Sequence, residues 1–173
     1  MKKTLCILVI FALTISLSAC ISKRETKNID EYYEYLAKVR YAEDYMPGKE
    51  NCGNYSSIYA TYKRTFAIFE TYTVGLFLSY DEAEYHKQIE AIQSNYVFFN
   101  TEEDELQSDP DALVDGYNIH LVKQEYPLET YKTGLLIGMD ETNRKICYLF
   151  YYDFDLDELN NLDDYIESNF TMS

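Results

Sequence analysis

Histidine is nearly absent from the chain. His86 and His120 are the only two, so general-base chemistry near neutral pH has few residues to draw on. His86 sits beside Lys87 on the polar side of an expected helix, and His120 alternates with Ile119 and Leu121 in an expected strand. Neither belongs to a helical metal pair with a glutamate between, and no serine occupies a Gly-x-Ser-x-Gly elbow. Six glycines are too scattered to form a phosphate-cradling loop. Basic side chains number 15 against 30 acidic ones, a net charge of −15. That balance argues against nucleic acid, whose phosphates need cations to displace counterions. Cationic partners or metal ions fit it better, although solubility alone explains such acidity. With 30 carboxylates, a close pair suited to glycoside hydrolysis arises by chance and carries no signal. Tryptophan is missing altogether, and the aromatic content is 19 tyrosines and 9 phenylalanines. Tyrosine buries area while keeping a hydroxyl for hydrogen bonding, which suits recognition of proteins or sugars.

What is present begins with an address. The first twenty residues read MKKTLCILVIFALTISLSAC. Lys2 and Lys3 precede a 13-residue apolar run from Leu5 to Leu17, which is too short for a permanent membrane span and fits the core of a signal peptide. Leu17-Ser18-Ala19-Cys20 follows and resembles the lipobox of bacterial lipoproteins. The resemblance implies cleavage between Ala19 and Cys20, a diacylglycerol thioether on Cys20, and an anchor on the extracytoplasmic face of a bacterial membrane. Two or more acyl chains hold firmly where one does not. Cys6 lies within the signal and would leave with it.

The expected organisation is therefore a signal over residues 1–19, a lipidated cysteine with a basic tether over residues 20–28, and one acidic domain over residues 29–173. The tether carries Lys23, Arg24 and Lys27 against Glu25, whereas residues 29–173 hold 10 basic and 29 acidic side chains. A flexible stretch of that length spans roughly 16 Å, which would hold the domain close above the headgroups. Hydrophobic residues at 47% mark a globular chain with a real core. After processing, Cys52 and Cys147 are the only thiols besides Cys20. Outside the cytoplasm they could pair, closing a loop worth about 4 to 5 kcal/mol in the chain-entropy picture, or stay as two separately buried thiols. Nothing local marks either as an activated nucleophile for a Cys-His pair.

Periodicity predicts an α+β fold: a mainly antiparallel sheet of about five strands, covered on one face, with about three helices. Ile29, Tyr32, Tyr33, Leu36 and Val39 step by three and four, predicting a helix that ends before Pro47. Ser57–Phe69 and Thr71–Tyr80 are rich in β-branched and aromatic residues, with a hairpin turn expected at Glu70–Tyr72. Asp81-Glu82-Ala83-Glu84 has the form of a capping box, and Tyr85, Ile89, Ile92 and Tyr96 stripe the helix after it. Residues 101–116 are the most polar stretch and read as an exposed connection. Tyr117–Lys123 resumes a strand, and Gly134–Met139 with Lys145–Asp153 forms a second hairpin around Asp140–Arg144. Asp155-Leu156-Asp157-Glu158 repeats the capping pattern, and Leu159, Leu162, Ile166 and Phe170 space out a last helix.

One motif has the spacing of a metal loop. Asp153, Asp155, Asp157, Asn161 and Asp164 place oxygens at positions 1, 3, 5, 9 and 12 of a calcium template. Glu158 stands where that template needs glycine, so a strand end running into a capped helix is the favoured reading and no metal cofactor is expected. Asp109, Asp111 and Asp115 make a weaker suggestion of the same kind. The run FYYDFDLDELN is similar to runs in small exported bacterial proteins that carry no assigned activity, and it implies none. The sequence thus points to a membrane-tethered, extracytoplasmic interaction or ligand-binding module for an unidentified protein or small molecule. An enzyme acting on envelope or extracellular substrates, or an accessory subunit of an envelope complex, are the alternatives.

Overall fold

The computed structural model describes residues 20–39, 41–66, 70–100, 110–123, 132–153, 156 and 161–172. Seven strands form one sheet: β1 (Cys20–Thr26), β2 (Ser57–Phe66), β3 (Glu70–Ser79), β4 (Asp111–Val114), β5 (Tyr117–Leu121), β6 (Thr133–Asp140) and β7 (Lys145–Asp153). Their spatial order is β1-β2-β3-β7-β6-β5-β4, and every neighbouring pair is antiparallel. Among the described residues four α-helices accompany them: α1 (Ile29–Leu36), α2 (Ala42–Tyr45), α3 (Glu82–Asn95) and α4 (Leu162–Asn169). The α+β class and the antiparallel sheet are as expected; the counts of five and three were low.

The two additional strands are the two edges. Residues 20–26, expected as a tether, pair along their whole length with β2, from Cys20 opposite Phe66 to Thr26 opposite Ala60. Alternation is written into a sequence only by half-burial, and Ile21 to Glu25 are all exposed, so β1 left no period to read. At the other edge, β4 emerges from the stretch read as a connection, joined to β5 by a two-residue turn. Asp115 (φ 51) and Gly116 (φ 87) both lie in the left-handed region that such a turn demands.

Three boundaries moved. Phe66 faces Glu70 in the β2–β3 ladder, so Glu70–Tyr72, expected as the turn, already lies within β3. The Arg64 guanidinium, bonded to the Glu70 carboxylate, fastens that end of the ladder. The first helix stops at Leu36, and the chain turns through Tyr41 at φ 68 before α2 begins. This break lets Leu36, Val39, Ala42 and Met46 all reach one core. The last described helix begins at Leu162 with Asn161 as its cap; the expected cap at Asp155, with Asp157, Glu158 and Leu159, lies outside the described residues.

Both faces of the sheet are covered, where one was expected. Alternation along β7 shows why: Ile146, Tyr148 and Phe150 enter one core, while Cys147, Leu149 and Tyr151 enter the other. The first core is closed by α1, α2 and α3, and the second by α4 through Leu162, Ile166 and Phe170. Each large apolar side chain taken fully out of water contributes about 1.5–3 kcal/mol, so a strand buried on both faces, like β7, anchors the whole molecule.

Candidate functional site

The segment between α2 and β2 has little regular structure of its own, yet it is fastened to the first core by phenols. The Tyr33 hydroxyl donates to the Pro47 carbonyl at 2.9 Å, and the Tyr80 hydroxyl donates to the Cys52 carbonyl at 2.9 Å. The Cys52 thiol lies 3.6 Å from the Gly48 carbonyl and 3.6 Å from the Tyr33 hydroxyl. Gly53 has φ 62, and a Cβ there would lie 2.2 Å from Gln88 Nε2 and 2.4 Å from Glu84 Oε1. Glycine therefore permits both the backbone turn and the close approach of α3.

Asp81 caps α3 by accepting from the Glu84 backbone N–H at 2.9 Å. Only half of the expected capping box forms. The Glu84 carboxylate turns sideways, accepting from Gln88 Nε2 at 2.8 Å and from Lys87 Nζ at 3.2 Å. The Gln88 amide first, then Lys87 and the Asn54 backbone, hold this carboxyl below its ordinary range. Glu84 thus ties the helix to the irregular segment facing it.

Between these two walls lies a cavity of about 390 Å³. Pro47, Glu50, Asn51 and Gly53 form one side; Lys87, Gln88, Ala91, Ile92 and Asn95 form the other; Tyr96 and the buried Tyr148 complete it. Tyr32 is not a lining residue; it is fully buried, and its hydroxyl has no hydrogen-bond partner among the described residues. Burial pushes its pKa far up, and Tyr33, Cys52, Tyr148 and Tyr96 add to the rise. Desolvation likewise raises Tyr96 and Tyr148. These phenols accordingly stay protonated and act as neutral donors. With the amides of Asn51, Gln88 and Asn95 and the apolar surface of Ile92, the lining suits an uncharged ligand rich in hydroxyl or amide groups. Histidine is not among its lining residues.

The residues singled out from sequence are dispersed rather than gathered. His120 Nδ1 lies 2.7 Å from Asp111 Oδ1 across the β4–β5 ladder, with its ring 5.4 Å from that of Phe98. His86 lies on α3 against the Tyr85 ring. Cys52 and Cys147 are unpaired, buried thiols in different cores. Burial raises both thiol pKa values, that of Cys147 far above its ordinary range, which is the opposite of nucleophile activation. The sheet stands between the two cores, so the bridge that their spacing allowed is not formed.

The metal motif is likewise divided. Asp153 accepts from the Thr71 hydroxyl at 3.3 Å, while Asn161 caps α4 and donates from Nδ2 to Asp164 at 2.7 Å. Asp155 and Asp157 lie outside the described residues, as does Asp109. Asp111 is engaged with His120, and Asp115 forms the β4–β5 turn. Among the described residues no three His, Cys, Asp or Glu side chains are placed to hold a metal ion.

Sequence reasoning placed Tyr96 on the buried stripe of α3 but missed Asn51, Gln88 and Asn95. The available signal was Gln88 itself, a polar residue one position before Ile89 that proves only 6% exposed. No family model, curated protein or solved structure matches the chain.

Proposed function

We propose that this protein is an extracytoplasmic bacterial lipoprotein, anchored through diacylglycerol on Cys20, and that the cavity beside α3 binds a small neutral polyhydroxyl ligand of one or two sugar rings. The observation that carries the ligand class is the lining itself, in which the Tyr96 and Tyr148 rings meet the Asn51, Gln88 and Asn95 amides. A cavity of about 390 Å³ stands at the small end of ligand sites, and the net charge of −15 disfavours anions at long range. The lipobox residues Leu17, Ser18, Ala19 and Cys20 support the anchor.

Titration calorimetry of the protein with neutral monosaccharides and disaccharides, against uronates and amino sugars, tests the ligand class. Binding of a neutral sugar is expected, weakened roughly five- to tenfold in Gln88→Ala through loss of one hydrogen bond. No heat with any neutral sugar at millimolar concentration, or affinity unmoved by Gln88→Ala and Asn95→Ala, would sink it. The anchor is tested separately: Cys20→Ala should leave unprocessed precursor and abolish lipid labelling.

A further inference from the structure

We propose that β1, with the adjoining end of β2, is a membrane-contact edge that lies against anionic lipid headgroups; this rests on the lipidation of Cys20 proposed above. Cys20 is the first residue of β1 and sits opposite Phe66, so no spacer separates the anchor from the folded body. Whatever surrounds that position meets the bilayer first.

The side chains there are unlike the rest of the molecule. Ile21 and Phe66 are 63% and 56% exposed, two of the four large apolar side chains that stand in solvent among the described residues. They project from opposite faces of the same end of the sheet, as the register requires: Ile21 stands opposite Thr65, one residue before Phe66 on β2. Resting on its β1 edge, the sheet brings both to the lipid.

Charge agrees with that orientation. Lys23, Arg24, Lys27, Lys63 and Arg64 all lie on β1, just after it, or on β2, and Glu25 is the one acid in those stretches. Glu25 is paired with Lys23 at 2.9 Å and Arg64 with Glu70, while Lys63 donates to the Ser168 carbonyl at 3.2 Å. Arg24 packs 5.7 Å over the Tyr35 ring, and neither it nor Lys27 has a carboxylate partner among the described residues. At the opposite edge, β4 and its turn carry Asp111 and Asp115. Seven strands place those two edges about 29 Å apart, several times the Debye length of about 8 Å at physiological salt. Repulsion of the acidic edge is therefore screened where attraction at the basic edge is not. Juxtaposed cations, paired apolar tips and the anchor commit the surface to an anionic bilayer.

Because the chain has no tryptophan, a single introduced indole reports its position without background. Phe66→Trp and Val97→Trp, each in the full lipid-modified protein, are reconstituted into vesicles of phosphatidylglycerol and phosphatidylethanolamine with brominated acyl chains. Val97 is 66% exposed and lies beyond α3. Lipid quenching at least threefold stronger at position 66 than at 97 is expected, falling when Arg24 and Lys27 are both changed to Glu. Ile21→Trp gives a second reading should Phe66→Trp fold poorly. Equal quenching at the two sites in lipid-labelled protein would overturn the contact edge and leave the anchor standing; missing label would overturn both. Shielding from aqueous iodide without quenching by bromolipid would put a protein partner there and overturn the lipid assignment.

Discussion

The two faces of the sheet bury their side chains in different ways. On the face covered by α4, strand glycines make room for bulky neighbours: a Cβ on Gly138 would lie 2.6 Å from Cys147 Sγ and 2.9 Å from Ile119, and one on Gly134 would lie 2.5 Å from the Tyr151 hydroxyl. That interior is filled by direct interlocking. On the face covered by α1, α2 and α3, an irregular segment is held by individual phenol hydrogen bonds, and a cavity of about 390 Å³ opens beside it. Tight interlocking around these glycines contrasts with walls beside α3 that are joined by single hydrogen bonds, and walls that can adjust are where a ligand can enter.

The contrast breaks most sharply at glycine. Gly138→Val should destabilise the protein by about 3 kcal/mol, because the added carbons meet a buried thiol and the Ile119 side chain with nowhere to move. On the other face, Gly53→Ala meets only the ends of Gln88 and Glu84. Its cost comes mainly from φ 62 and should be about 1 kcal/mol, but it should weaken sugar binding by moving the Gln88 amide. Urea denaturation ranks the two stabilities. A Gly53→Ala cost equal to that of Gly138→Val would mean that both faces are equally tight.

A finer comparison uses the two buried hydroxyls that have no partner among the described residues, Tyr32 and Tyr165. Tyr165 packs against the second core, its ring 5.3 Å from that of Tyr151. Phenylalanine at either position removes an unsatisfied group and should raise stability by about 1 kcal/mol. Neither hydroxyl belongs to a residue that lines the cavity, so sugar affinity should stay unchanged in both variants. A Tyr32→Phe variant less stable than the parent in urea denaturation would mean that this hydroxyl is satisfied in solution.

How much of this could be read beforehand follows from what writes a pattern into a sequence. The central strands β2, β3, β6 and β7 were legible as runs of β-branched, aromatic and apolar residues, and the helix α3 from its cap and its spacing of three and four. The edge β1, with Lys23, Arg24 and Glu25 in succession, is exposed on both faces and so carries no such period. Cover on both faces was missed for a related reason: β7 reads as a continuous apolar and aromatic run from Ile146 to Tyr152, which is what double burial produces. The cavity was the least legible feature. Asn51 comes from the irregular segment and Gln88 and Asn95 from positions two turns apart on α3, and they meet through the phenol bonds to Pro47 and Cys52 and the Glu84 contact with the Asn54 backbone. The isolated motifs at Asp153–Asp164 and Cys52–Cys147 had suggestive spacing, but spacing says nothing about which face a side chain takes.

The smallest effect expected lies at the helix caps, one over each face. Asp81 accepts from the Glu84 N–H at 2.9 Å, whereas Asn161 accepts from the Asp164 N–H at 3.4 Å. The Asp81 carboxylate also adds a negative charge at the positive end of a 14-residue helix. Asp81→Ala should therefore cost about 1 kcal/mol and Asn161→Ala about half that. The more informative difference is where each loss is felt. Fraying α3 at its first turn loosens Glu84, and with it the hydrogen bond that orients Gln88 in the cavity wall. Amide hydrogen exchange should accordingly quicken around residues 50–54 in Asp81→Ala, accompanied by weaker sugar binding. In Asn161→Ala the change should stay within α4 and the β4 strand packed on it, because the ligand cavity lies across the sheet.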